Sequence, residues 1–132
     1  MRLFVAVEIP HELRMALDSF LKPLRATAKL SWSRLENLHI TTQFLGEWPE
    51  ARLDEIKQAL AKDGVAIEER AFTPHLTLAR IREPVPLDAL REAIESSPFA
   101  RGFHFGAFRA GTFYLYLSAG GRYTQLAGFG LE

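Results

Sequence analysis

Apolar residues in this chain switch between two periods, and that alternation restricts the fold more than any other feature of the sequence. Leu3, Val5, Val7 and Ile9 fall on one face of an alternating run that predicts a strand, which Pro10 ends. From His11 to Leu24 the apolar positions Leu13, Leu17, Phe20, Leu21 and Leu24 recur at helical spacing. Alternation returns from Asn37 to Leu45. There Leu38, Ile40 and Phe44 share one face, assigned to the core, and His39, Thr41 and Gln43 share the other. Gly46 and Pro49 mark a turn, and Leu53, Ile56 and Leu60 a second helix that stops at Asp63-Gly64. Pro74 introduces a short strand over His75–Arg80, and Leu87, Leu90 and Ile94 mark a third helix. The remainder is aromatic and glycine-rich. Phe103 and Phe105, Thr112–Ser118 and Tyr123–Leu131 read as two or three strands, the last two joined by Gly120-Gly121. Mixed elements joined by tight turns predict an α+β fold with antiparallel pairing.

No linker or low-complexity run divides the 132 residues, so residues 1–132 read as a single domain large enough to bury a core. The chain has no cysteine, which removes disulfide frameworks, thiolate metal sites and cysteine nucleophiles together. No stretch approaches the roughly 18 continuous apolar residues of a membrane span, and the N-terminal apolar run is too short for a signal peptide. A cytoplasmic location and no membrane partner are expected. Formal net charge is zero. Proteins that grip long nucleic acid carry a basic excess, so any such contact here is expected to be local. Arg70, Arg80 and Arg82 are close enough in sequence to supply a local positive field.

Within the strands lies a short internal echo: His39-Ile40-Thr41 and His75-Leu76-Thr77. Period-two geometry points each imidazole and its hydroxyl to the same side, away from the apolar residue between them. Two imidazoles facing one site suit in-line displacement at phosphorus. One, neutral, takes a proton from the attacking water; the other, as imidazolium, gives a proton to the departing oxygen. Histidine populates both forms near neutrality. The Thr41 and Thr77 hydroxyls can donate to the non-bridging oxygens, where charge sits in the transition state. A strained cyclic phosphate needs less electrophilic help than a relaxed diester, so no metal and no cofactor are expected. A zinc site would need a third ligand, and no His-x-x-x-His or cysteine set exists. His11, at a helix start, reads as a surface or capping residue, and His104 as a packing residue.

At these residues the sequence resembles the RNA 2′,3′-cyclic phosphodiesterases, or 2′-5′ RNA ligase-like proteins, of the two-histidine phosphoesterase superfamily. The resemblance is carried by residues 1–10, by Glu36–Thr41 with Phe44-Leu45-Gly46-Glu47, by Phe72–Arg80, and by Arg122–Leu131 as a closing strand. It implies a bilobal fold of two small, pseudo-symmetric antiparallel sheets around a cleft, each sheet offering one His-x-Thr. It implies hydrolysis of a 2′,3′-cyclic phosphate to a 2′-phosphate, with 2′-5′ ligation as a side activity. By motif, His39 becomes the proton donor to the leaving 3′-oxygen and His75 the proton acceptor from water. Thr41 and Thr77 bind phosphate, and Arg80 neutralises phosphate charge. Only residues 42–74 separate the two motifs, fewer than is typical of the family, which implies a shortened middle with one helix serving for two. Phe72, Tyr114 and Tyr116 are the candidates for stacking on terminal bases. The expected partner is an RNA end or nucleotide bearing a cyclic phosphate, met by a monomer with no protein partner. A non-catalytic RNA-end binding module is the rival from another class. An enzyme for another cyclic phosphate or for 2′-5′ linkages is a third reading.

Overall fold

The computed structural model describes residues 1–64, 74–98 and 105–131. Elements follow in the order β1 (Arg2–Glu8), α1 (His11–Arg25), β2 (Ser31–Trp32), β3 (His39–Glu47), α2 (Leu53–Asp63), β4 (Ala79–Arg80), α3 (Asp88–Glu95), β5 (Thr112–Ala119) and β6 (Arg122–Gly130). The fold is α+β, with two small antiparallel sheets among the described residues. The chain divides into two compact units.

The first unit comprises Met1–Glu8, His39–Leu76 and Arg109–Glu132. Its sheet has the order β3-β1-β5-β6, all pairs antiparallel. β1 lies inside the sheet and is buried on both faces, which explains why Leu3, Phe4, Val5 and Ala6 are all apolar. On one face Leu3, Val5 and Val7 meet Phe113 and Leu115 and are covered by Ile56 and Leu60 of α2. Each such side chain, fully buried, contributes about 1.5–3 kcal/mol of transfer free energy. β5 and β6 are joined by Gly120 and Gly121, with φ of 58° and 75°. Two consecutive positive-φ residues are what a two-residue hairpin turn of the right twist demands. Before α2, Arg52 donates to both carboxylate oxygens of Glu55 (3.0 and 2.8 Å). That hydrogen-bonded pair holds Arg52 above and Glu55 below their ordinary ranges.

β3 carries the correction that matters most for function. Alternation predicts Phe44 on the core face, yet Phe44 is 53% exposed. In the β1–β3 ladder Ala6 pairs with Thr41 and Val5 with Gln43, so Thr42 is an extra residue. Its hydroxyl donates to the Val5 carbonyl (3.1 Å). One extra residue reverses the phase of the side chains beyond it, here Gln43 and Phe44, until a second irregularity at Leu45 restores it. Phe44 therefore pairs with Phe4 and stands on the face that carries Thr41, while Gln43 passes to the other side.

The second unit comprises Ile9–Leu38 and Thr77–Phe108. α1 buries Leu17, Leu21 and Leu24, with Glu12 in its first turn and Lys22 and Arg25 in its last, matching the helix dipole. Phe20 meets Phe105 edge to face at 5.1 Å. β2 and β4 form a two-residue ribbon with Ser31 opposite Arg80 and Trp32 opposite Ala79. Ser33 extends it, its amide donating to the Leu78 carbonyl and its hydroxyl to the Thr77 carbonyl, both at 2.8 Å. The predicted strand over His75–Arg80 thus narrows to Ala79–Arg80, preceded by an isolated bridge at Leu76.

Candidate active site

His39 opens β3 and stands opposite Glu8 of β1. Thr41, two residues on, faces Ala6, whose methyl group occupies little of the row between His39 and Phe4. The imidazole lies along that row. Its Nε2 is 2.9 Å from the Thr41 hydroxyl oxygen. A neutral ring accepts from Thr41 or donates to it according to its tautomer; an imidazolium donates. The ring stacks on Phe4 (centroids 4.9 Å apart, planes at 29°) and meets the edge of Tyr123 at 5.1 Å. Phe4 is itself stacked on Tyr116 (5.1 Å, 9°) and touched edge-on by Tyr123 (5.1 Å). His39 therefore rests on an aromatic layer built by three strands, an arrangement that limits its rotamers through packing.

Across the sheet, the Gln125 amide donates to the Glu8 carboxylate (2.8 Å) and to the Tyr116 hydroxyl (2.9 Å). Gly128 stands opposite Tyr114, and a Cβ there would lie 3.0 Å from the ring. Phe44 continues the layer at 6.3 Å from Phe4, with the Arg2 guanidinium 5.2 Å from its ring centre.

The second motif reaches the same sheet through Leu76, which forms an antiparallel bridge with Ile40. The residues bridged are the central ones of the two His-x-Thr triplets. His75 is exposed, and it belongs with His39 and Thr41 to the first unit. Thr77, half-buried, and Arg80, exposed, belong to the second.

Among the other predicted site residues, Tyr116 is 7% exposed and stacked within the layer, and Tyr114 is half-buried beside it. Phe72, Arg70 and His104 lie outside the described residues. Alternation analysis missed Phe4, Tyr123 and Phe44. A signal for Phe4 was present, since it and Ala6 are apolar on the face of β1 opposite Leu3, Val5 and Val7. Among the described residues no group of three or more His, Cys, Asp or Glu is placed to hold a metal ion, and no helix is long and apolar enough to cross a membrane.

Residues 7–69 match the LigT-like phosphoesterase family. An RNA 2′,3′-cyclic phosphodiesterase of Archaeoglobus fulgidus is 29% identical over 113 residues, covering 78% of this chain and 64% of that protein. One from Methanocaldococcus jannaschii is 39% identical over 56 residues, 42% of this chain and 32% of that one. The matched stretch thus spans less than two thirds of either relative. Among solved structures, Escherichia coli LigT complexed with 3′-AMP superposes with a TM-score of 0.66 at 20% identity, covering 98% of this chain and 97% of that one. TT0787 of Thermus thermophilus gives 0.61 at 24% identity, covering 99% and 98%. These likenesses establish a shared fold. The family match covers a little under half of the chain, and with the curated relatives it makes the chain similar to LigT-like phosphoesterases.

Proposed function

We propose that this protein opens 2′,3′-cyclic phosphates at RNA ends to 2′-phosphates, with His39 as general acid and His75 as general base. The observation that carries the reading is the Ile40–Leu76 bridge, which draws the two His-x-Thr triplets onto neighbouring backbone. The curated relatives named RNA 2′,3′-cyclic phosphodiesterase support the same chemistry.

In this mechanism neutral His75 accepts a proton from water as its oxygen attacks phosphorus. The P–O3′ bond breaks as protonated His39 delivers its proton to the departing 3′-oxygen. Thr41 and Thr77 donate to the non-bridging oxygens, and Arg80 offsets their charge. A ribose alkoxide is a poor leaving group, so the acid is the more demanding role. It falls to the histidine whose ring is held by packing. Replacing water by a 5′-hydroxyl in the same geometry yields a 2′-5′ linkage, which accounts for ligation as a side activity. The terminal base stacks on Phe44, whose exposed ring shares the sheet face of His39, with Phe72 and Tyr114 as further contacts. The reaction requires no cofactor, and the protein acts as a monomer in the cytoplasm.

Product analysis after incubation with a 2′,3′-cyclic nucleotide tests the proposal. The expected result is a 2′-phosphate, formed equally well with EDTA, and about a 10²–10⁴-fold loss in His39→Ala and in His75→Ala with the fold retained. Tight binding without any product would identify a non-catalytic RNA-end module instead.

A further inference from the structure

The row of side chains beside His39 ends in an acid. On β1, Phe4, Ala6 and Glu8 share one face, and Glu8 stands directly opposite His39 in the β1–β3 ladder. The Glu8 carboxylate accepts from Gln125 Nε2 at 2.8 Å, and the same nitrogen donates to the Tyr116 hydroxyl at 2.9 Å. The acid is exposed, yet it is tethered over the sheet from β6, two strands away. Among the described residues no ion pair involves Glu8. Arg2, the cation on the same face of β1, lies over Phe44, about 20 Å along the strand. That is beyond the screening length of about 8 Å at physiological ionic strength, so Arg2 does not offset the acid.

A held negative charge beside an anion site opposes every phosphate, and a doubly charged one more than a singly charged one. The cyclic diester carries one negative charge. The phosphomonoester formed from it carries about 1.5 to 2 at neutral pH. Ring opening therefore increases the repulsion from Glu8.

We infer that Glu8 makes the site selective against phosphomonoesters, weakening its hold on the product relative to the cyclic substrate. The inference rests on the hydrolytic reading above, with phosphate on Thr41, and it involves Glu8, His39 and Thr41, all of the first unit. Thr41 pairs with Ala6, two residues before Glu8, which sets the acid about 7 Å along the strand from the phosphate position. At that distance, with an effective dielectric constant of about 40–80, one extra charge alters affinity about three- to sevenfold. Salt reduces this to about two- to fivefold. Glu8 takes no part in proton transfer.

Two ligands that differ by one charge test the inference without turnover: 3′-deoxyadenosine 2′-phosphate and its methyl ester, neither of which can cyclise. Titration calorimetry gives their dissociation constants for the wild type, Glu8→Gln and Glu8→Asp. Glutamine keeps an acceptor for Gln125 and loses the charge; aspartate keeps the charge. Glu8→Gln should shift the ratio of the two constants about two- to fivefold in favour of the phosphomonoester, and less at high KCl. Glu8→Asp should keep the wild-type ratio. With adenosine 2′,3′-cyclic phosphate as substrate, adenosine 2′-phosphate should inhibit Glu8→Gln more strongly than the wild type. An unchanged ratio in Glu8→Gln, or an equal shift in Glu8→Asp, would overturn the inference. A shifted ratio in a protein that turns over no cyclic phosphate would sink the hydrolytic reading and sustain the charge selection. Turnover intact with an unmoved ratio would sink the selection alone.

Discussion

Phe4→Leu removes the flat surface under His39 while keeping an apolar side chain in a site that is 3% exposed. The wild-type ring meets His39, Tyr116, Tyr123 and Phe44 with centroids 4.9, 5.1, 5.1 and 6.3 Å away. Each well-placed aromatic pair contributes about 0.5–1.5 kcal/mol beyond burial. Leucine retains most of the transfer free energy and repacks, so the net cost to stability is about 1–2 kcal/mol. For a domain of this size that lowers Tm by about 4 °C per kcal/mol. The functional consequence is separate. The stack on Phe4 restrains the imidazole, and losing a restraint of about 0.5–1.5 kcal/mol lets the ring leave its productive rotamer for part of the time. At 1.36 kcal/mol per tenfold, kcat should fall about two- to tenfold with little change in KM. Thermal unfolding and steady-state hydrolysis of a 2′,3′-cyclic nucleotide measure the two effects. Full kcat in a variant that has lost the expected stability would refute the claim that the aromatic layer positions His39.

Two further substitutions probe the sheet beneath the site. Gly128→Ala puts a methyl group 3.0 and 3.2 Å from the Tyr114 ring; the overpacking should cost about 1–3 kcal/mol in thermal unfolding, and an unchanged Tm would mean that Tyr114 swings aside freely. Thr42→Val keeps a β-branched residue in β3 but loses the hydroxyl bonded to the Val5 carbonyl. Denaturant unfolding should show a loss of about 1 kcal/mol, and no loss would remove that bond from the account of the bulge.

The sequence was most legible where one face of an element is buried. Alternation in β1 and helical spacing in α1 located the residues that form the cores, since Leu3, Val5, Leu17 and Leu21 have no other use for their apolar surface. The hairpin at Gly120-Gly121 was legible because only glycine accepts both positive-φ positions without strain. Phe44 was misread for a definite reason. Its phase depends on the extra residue at Thr42, and a bulge inserts no residue type that alternation can detect. The layer of Phe4, Tyr116 and Tyr123 was equally hidden, because it is assembled from three strands far apart in sequence. Both histidines were legible as a pair through the repeated triplet. That they sit in neighbouring backbone depends on the Ile40–Leu76 pairing, which no local pattern encodes.

The division of labour between the two imidazoles is measured most directly by the pH dependence of kcat/KM in the wild type and in each single variant. A general base must be neutral to work and so gives a rising limb; a general acid must be protonated and so gives a falling limb. The wild type should therefore give a bell, His75→Ala should lose the rising limb, and His39→Ala the falling one. Single variants that keep both limbs would contradict the account.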